Sequence, residues 1–271
     1  MIAGMLKRLL ANALRGPSRA ADPSSLSDNQ DYPQFCLQAS RDERVFADFR
    51  RHPVYNAILE HARAEQGQQY LDIVARDAEL LCAMDRFRLN DAYGNPRTSD
   101  YALAGKISPT TLRYVKVLAD LKSLFGPLDG LDICEIGVGY GGQCRIISAY
   151  YHPATYCLVD IAPALALARR FLANYDLRPA LSYRTMDELA PRDYDLIISN
   201  YAFTELRRPI QDEYLAKAIL RSKKGYITYN EITPAGFDSY KADDLLRIIP
   251  RARRIAETPL THPKNCVIAW G

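Results

Sequence analysis

The segment Leu131 to Gln143, LDICEIGVGYGGQ, restricts what this chain can fold into more than any other. Leu131, Ile133, Cys134 and Ile136 make a short apolar strand of the length that sits in the middle of a parallel sheet. Gly137, Gly139, Gly141 and Gly142 then remove side chains where the backbone must turn sharply and let a ligand approach the main chain. Gln143 to Tyr151 continues as a helix, whose first-turn amides face the same crevice. A strand, a glycine turn and a helix in this order predict an α/β unit that binds a nucleotide-like cofactor.

Gly137, Gly139 and Gly142 satisfy G-x-G-x-x-G, a pattern that admits any Rossmann-type dinucleotide enzyme. Two acids narrow the choice. Glu135 stands two residues before the first glycine, where a carboxylate would repel a pyrophosphate but accept a hydrogen bond from an ammonium or hydroxyl. That favours S-adenosylmethionine, which brings an amino acid and a sulfonium and no phosphate. Asp160 ends a second apolar strand, Tyr156 to Val159, where a carboxylate suits two ribose hydroxyls. Both cofactor classes use such an acid, so Asp160 supports the crevice more than the cofactor's identity.

The rest of the chain alternates. Ala162 to Tyr175 reads as a helix, Leu181 to Thr185 and Tyr194 to Ser199 as strands, Pro209 to Ser222 as a helix, Gly225 to Glu231 as a strand and Tyr240 to Ile249 as a helix. Ala252 to Glu257 and Asn265 to Trp270 predict a terminal antiparallel pair. Short links between strands and helices imply an α/β fold with a parallel sheet, helices on both faces and right-handed crossovers. The closing pair makes that sheet mixed.

Before the glycine turn, residues 32 to 126 read as mainly helical, broken by the turn-rich piece Asn90 to Pro96. Ser108 and Pro109 open a long helix, Thr110 to Phe125, by cap and first-turn chemistry. This layer is placed to cover the mouth of the crevice. Residues 1 to 31 form a third unit: Ile2, Met5, Leu6, Leu9, Leu10 and Ala13 recur at helical spacing, and Gly16 to Asp31 reads as a flexible linker. The amphipathic segment suits packing on its own domain or a sister subunit, or a weak membrane-surface contact through Lys7, Arg8 and Arg15. The division is therefore 1–31, 32–126 and 127–271.

Composition excludes more than it selects. A chain of 271 residues with 48% hydrophobic and 25% charged residues builds one domain plus an extension, and a net charge of +3 gives no reason to expect nucleic acid. No apolar run approaches the ~20 residues of a transmembrane helix. Cys36, Cys82, Cys134, Cys144, Cys157 and Cys266 show no C-x-x-C pair and no close histidine spacing, so no zinc site is expected. Free cysteines of this kind suit the reducing cytoplasm.

The strand and helix order, with a glycine loop on the first strand, an acid on the second and a final antiparallel strand, resembles the class I S-adenosylmethionine-dependent methyltransferases. Within them the chain is similar to the bacterial sugar O-methyltransferase family, through ISPTTLRYVKVLADLKSLFG (Ile107 to Gly126), DICEIGVGYGGQCRII (Asp132 to Ile147), SNYAFTEL (Ser199 to Leu206) and GYITYNEI (Gly225 to Ile232). The similarity runs from about Asp31 to the end. It implies a Rossmann-like methyltransferase sheet preceded by a helical extension, with S-adenosylmethionine as cofactor and a sugar or glycosylated natural product as acceptor. Glu135, Gly137, Gly139 and Gly141, flanked by Tyr140 and Gln143, match the loop that holds the amino-acid end of the cofactor. Asp160 matches the ribose-binding acid with Ile161 beside the adenine, and Met186 and Asp187 match the adenine contact. Ser199, Asn200 and Tyr201 match the stretch beneath the sulfonium. Where some relatives continue to a histidine, this chain has Glu205.

Methyl transfer is an in-line displacement, so the protein has to align two reactants and accept the proton of a sugar hydroxyl. Glu205, Glu231 and His262 are the candidate bases, with Tyr201 a hydrogen-bonding partner. Each has a structural alternative. Glu205 can pair with Arg207 or Arg208, Glu231 can bind a loop amide or a divalent metal, and His262 can be a loop residue. No aspartate-rich or H-E-x-x-H motif indicates a metal. Arg113 and Tyr114 either reach the cofactor carboxylate or pair across the helical layer. Two other readings stand beside the methyltransferase: an NAD(P)-dependent oxidoreductase, and a non-catalytic methyltransferase-like subunit binding a partner through Met1 to Arg15.

Overall fold

The computed structural model describes Ser25 and residues 31–271; the expected N-terminal amphipathic helix lies outside the described residues. The described chain begins with short helices, α1 (Asp31–Arg41), α2 (Glu43–Ala47), α3 (Pro53–Ile58), α4 (Ala64–Val74), α5 (Ala78–Cys82) and α6 (Met84–Arg88). A hairpin of β1 (Ser99–Tyr101) and β2 (Gly105–Ile107) follows, then the long helix α7 (Pro109–Phe125). The cap of α7 is the one expected: Pro109 stands in its first turn and the Ser108 hydroxyl accepts from the Thr111 amide at 3.1 Å.

The hairpin is absent from the expectation of a mainly helical region. Three-residue strands are too short to display a period of two. What places them is a distant contact: the Tyr101 hydroxyl donates to the Ala64 carbonyl at 3.1 Å, and Gly67 leaves room for its ring.

From Asp132 onward, strands and helices alternate. The elements are β3 (Asp132–Ile136), α8 (Gly142–Ser148), β4 (Thr155–Val159), α9 (Ala162–Leu172), β5 (Ala180–Arg184), β6 (Tyr194–Asn200), α10 (Arg208–Lys217), β7 (Ser222–Tyr229), α11 (Ala242–Ile248), β8 (Arg253–Ala256) and β9 (Cys266–Trp270). They form a seven-stranded sheet in the order β5-β4-β3-β6-β7-β9-β8. The first five are mutually parallel, β9 runs antiparallel to both neighbours, and β8 is therefore parallel to the rest. This is the mixed Rossmann-like sheet expected from the alternation. Helices α8, α9 and α10 end three to five residues earlier than the apolar pattern suggests, with Ala149, Ala173 and Ala218 as their C-caps.

The period of two along the strands divides two cores. Ile133, Tyr156, Leu158, Leu196, Ile198 and Tyr226 point to the face covered by α7, α8, α9 and the N-terminal helices. Cys134, Ile136, Cys157, Val159, Ile197 and Ile227 point to the face covered by α10 and α11. Both faces are buried, so the central strands read as continuous apolar runs. Gly225 permits one close approach, since a Cβ there would lie 2.0 Å from the Trp270 ring. Among the described residues no helix is long and apolar enough to cross a membrane.

Candidate active site

In a parallel sheet the carboxyl ends of the strands open onto one edge, and ligands bind where the crossover direction changes. Here that point lies between β3, whose chain continues toward β4, and β6 on its other side. The glycine turn leaves β3 at this edge. Gly137, Gly139 and Gly141 all take positive φ (79°, 54° and 85°), a region that side-chain-bearing residues rarely adopt. Space is as limiting as torsion: a Cβ on Gly137 would lie 2.0 Å from the Cβ of Ala202, and one on Gly142 would lie 2.4 Å from the Tyr114 ring.

Over Gly139 lies a side chain of the helical layer. The nearest atom to a Cβ there would be Leu59 Cδ1 at 2.7 Å, the far end of a flexible side chain. Leu59 therefore covers the turn without a rigid obstruction. Asp160 braces the turn from β4. Its Oδ2 accepts from the Gly139 amide at 2.9 Å and its Oδ1 from the Ile161 amide at 2.8 Å, so the two segments expected to meet one cofactor are already joined.

Other expected cofactor residues have different surroundings. Glu135 is 2% exposed and accepts a hydrogen bond from the Tyr156 hydroxyl at 2.6 Å, across two adjacent strands. Burial pushes its carboxyl up to about 8, against the Tyr156 bond and with a further push from Asp160. Glu135, expected to accept from an ammonium or hydroxyl of the cofactor, thus also bridges β3 and β4 through Tyr156. Tyr140 is likewise turned inward, enclosed by Phe49, Tyr55, Tyr114 and Phe171, with its hydroxyl accepting from Asn90 Nδ2 at 3.1 Å. Gln143 is buried and donates to the Tyr114 carbonyl. Ser199 is fully buried; its hydroxyl donates to the Ile136 carbonyl and accepts from the Phe203 amide, fixing the turn after β6 against β3. Met186 packs beside the second core, and Asp187 is exposed just beyond β5.

Raising the folded-state pKa of Glu135 gives a stability signature. Below the ordinary carboxyl range both folded and unfolded states hold the proton, and the contribution is complete. Between that range and about pH 8 the folded state binds more protons than the unfolded one, so stability falls as pH rises, by up to about 1.4 kcal/mol per pH unit. Glu135→Gln is expected to flatten this slope in urea unfolding between pH 5 and 8. An unchanged slope in the variant would show that Glu135 titrates normally.

The expected catalytic residues separate into two groups. Tyr201, with the expected cofactor residue Asn200, stands beside a small cavity of about 20 Å³ that is lined also by Tyr70, Arg113, Thr228 and Glu257. Tyr201 has φ 69° and ψ −40°, a costly conformation for a tyrosine. It is held there by its amide bond to the Thr228 carbonyl and by a short hydrogen bond from its hydroxyl to Glu257. Glu205 lies one short turn further on, where Asn230 Nδ2 donates to it at 3.0 Å. Burial raises its carboxyl above the usual range, while the Asn230 bond pulls the other way. It pairs with neither Arg207 nor Arg208; Arg208 pairs with Asp238.

Glu231 is drawn outward by Lys264 at 3.1 Å and Lys241 at 3.8 Å. His262 is exposed, and its Nδ1 accepts from the Lys264 amide within its own loop. None of Glu205, Glu231 and His262 lines the cavity. Among the described residues no group of three or more His, Cys, Asp or Glu side chains could hold a metal ion.

Glu257 was not among the expected site residues. It is 6% exposed, and besides Tyr201 it accepts from the amide and hydroxyl of Thr261 at 2.9 and 2.6 Å. A signal existed in the sequence: an acid ending a strand parallel to the others must stand at the crevice edge. Reading it required knowing that β9 inserts between β7 and β8.

No known family profile and no curated protein sequence matches this chain. Solved structures do. Magnesium protoporphyrin IX methyltransferase from Synechocystis PCC 6803, with bound S-adenosylmethionine, is 14% identical over 59% of this chain and 78% of its own, with a TM-score of 0.44. TehB from Haemophilus influenzae is 12% identical over 56% of this chain and 59% of its own, with a TM-score of 0.42. The pyocyanin biosynthetic protein PhzM is 15% identical over 59% of this chain and 58% of its own, with a TM-score of 0.41. Likenesses this distant fix neither an activity nor a substrate.

Proposed function

We propose that this chain is an S-adenosylmethionine-dependent O-methyltransferase acting on a hydroxyl of a sugar or glycosylated natural product. The observation that carries the reading is the bond between Asp160 and the Gly139 amide at the switch point of a sheet whose last strand is reversed. It joins the glycine turn of β3 to the acid of β4 on the edge where a nucleoside can lie across both. The donor set fits such a cofactor: left-handed glycines give close approach, Asp160 suits the ribose, and Leu59 is able to swing away from Gly139. Residues 32–126 would then be the cover and 127–271 the catalytic unit.

S-adenosylmethionine supplies a methyl carbon activated by its sulfonium. What remains for the protein is alignment and proton acceptance. Asn200 and Tyr201 stand at the carboxyl end of β6, on the edge where an acceptor would meet the methyl group. Glu205 is the favoured base. Glu205 is half-buried, desolvation raises its carboxyl above the usual range and so makes it a stronger proton acceptor than an ordinary carboxylate, and Asn230 fixes its orientation.

The first test is calorimetric titration with S-adenosylhomocysteine and, separately, with NAD. Micromolar binding of the thioether alone is expected; binding of NAD alone would make the glycine turn a dinucleotide site. With an acceptor in hand, Glu205→Gln is expected to lower kcat by about 100-fold or more. Because the base works only when deprotonated, the wild-type rate should fall as pH drops through the raised pKa of Glu205. The variant should lose this acid limb, and retention of it would assign the base elsewhere.

A further inference from the structure

The helical layer reaches the glycine turn through the end of α3. Leu59, the C-cap of that helix, supplies the atom nearest to a Cβ on Gly139, and its amide donates to the Tyr55 carbonyl at 3.0 Å. Residues four apart stand one above the other on a helix, so Tyr55 and Leu59 share one face. The Tyr55 ring lies 6.3 Å from the Tyr140 ring of the turn and 5.9 Å from the Tyr32 ring of α1. It therefore fills the space between the first helix and the turn.

The hydroxyl of Tyr55 is left over in this place. Tyr55 is fully buried, and its oxygen has no hydrogen-bond partner among the described residues. Two other buried phenols near the turn are satisfied, since Asn90 donates to Tyr140 and Tyr156 donates to Glu135. An orphaned buried hydroxyl costs the free chain stability, a cost that a bound polar group would remove. Asp160 is close to the same spot. Burial raises the Tyr32 phenol well above its usual range and the Cys36 thiol up to about 12, and the Asp160 carboxylate raises both further. Burial likewise raises Tyr55, with Tyr32, Cys36, Tyr114 and Tyr140 adding to it as the groups around its oxygen. The hydroxyl thus stands among the neighbours of both halves of the expected nucleoside site, the glycine turn and Asp160.

The main chain beside it is pinned, and the Leu59 side chain is not. Arg113 Nη2 donates to the Leu59 carbonyl at 3.1 Å, Asn56 Nδ2 donates to the Glu60 carbonyl at 2.8 Å, and the Glu60 carboxylate pairs with buried Arg50. Leu59 itself is half-buried, so rotation about its side-chain bonds opens the turn without unseating α3.

We propose that Tyr55 and Leu59 form the roof of the nucleoside site, Leu59 closing over the glycine turn and the Tyr55 hydroxyl bonding a polar group of the bound nucleoside. The inference deepens the methyltransferase reading and rests on it for the identity of that nucleoside as S-adenosylmethionine.

Calorimetric titration of the full chain with S-adenosylhomocysteine, beside thermal unfolding of the free protein, tests it. Tyr55→Phe removes one oxygen, and is expected to weaken binding about tenfold while the Tm of the free chain stays equal or rises. A hydroxyl with a purely structural role would give the reverse, unchanged binding and a lower Tm. Leu59→Ala removes the cover from a half-buried position, and is expected to weaken binding about fivefold. An affinity within about twofold of wild type in either folded variant overturns the proposal, and so does a lower Tm in free Tyr55→Phe. If NAD binds wild type and S-adenosylhomocysteine does not, the methyltransferase reading fails, and the same two variants titrated with NAD decide the roof. A wild-type chain that binds neither has no nucleoside site to cover, which overturns both.

Discussion

Asp160→Ala is expected to weaken binding of S-adenosylhomocysteine by about 100-fold, a loss of roughly 3 kcal/mol. Two effects combine. The carboxylate is the proposed partner of the ribose hydroxyls, and a hydrogen bond to a charged group contributes about 1.5–3 kcal/mol. The same carboxylate accepts from the amides of Gly139 and Ile161, so its removal leaves the glycine turn without its brace from β4. Asp160→Asn separates the two effects. Its remaining oxygen can hold one amide, so the turn should stay closer to its native shape while the charge is lost. An intermediate affinity is expected, measured by calorimetry beside thermal unfolding of each variant. A loss below threefold in Asp160→Ala, with the protein folded, would remove Asp160 from the binding site.

Arg50→Ala is expected to cost about 3–5 kcal/mol of stability and to lower Tm by roughly 10 °C. Arg50 is fully buried beneath the helical layer. Its Nε donates to Glu60 at 2.5 Å, its Nη1 to Asp91 at 2.9 Å and to the Asn90 carbonyl at 3.0 Å, and its Nη2 to the Ser108 hydroxyl at 3.1 Å. Truncation leaves Glu60 and Asp91 as nearly dry carboxylates with no cation between them, the situation in which a broken buried pair costs most. Arg50→Lys should recover little, because one ammonium cannot span four acceptors. The same guanidinium lies 4.8 Å from the centre of the Tyr140 ring, whose hydroxyl is held by Asn90. The network thus fastens the helical layer to the glycine turn, and weaker S-adenosylhomocysteine binding should accompany the lower Tm. A stability change under 1 kcal/mol in urea unfolding would mean that the carboxylates find water or other partners.

The sequence alone determined the parts of this protein that depend on near neighbours. Short apolar runs bounded by turns specified the buried strands β3, β4, β6, β7 and β9 to within three residues, because a strand covered on both faces must be apolar on both. Gly137, Gly139 and Gly141 could be read as backbone devices, since positive φ is a property of the residue itself. Asp160 could be placed at the crevice because it follows its strand directly.

Tertiary structure decided what each polar side chain does. Glu135 reads as a cofactor ligand in the sequence, and only the adjacent strand shows that Tyr156 donates to it. Tyr140 and Ser199 bear the right chemistry for a site, yet their hydroxyls hold Asn90, Ile136 and Phe203. Glu257 gained its place beside Tyr201 only through the insertion of β9 between β7 and β8. The physical reason is common to all of them. Apolar burial and backbone torsion leave a local pattern in the chain, whereas the partner of a hydrogen bond or a charge is chosen by contacts tens of residues away, which no local pattern records.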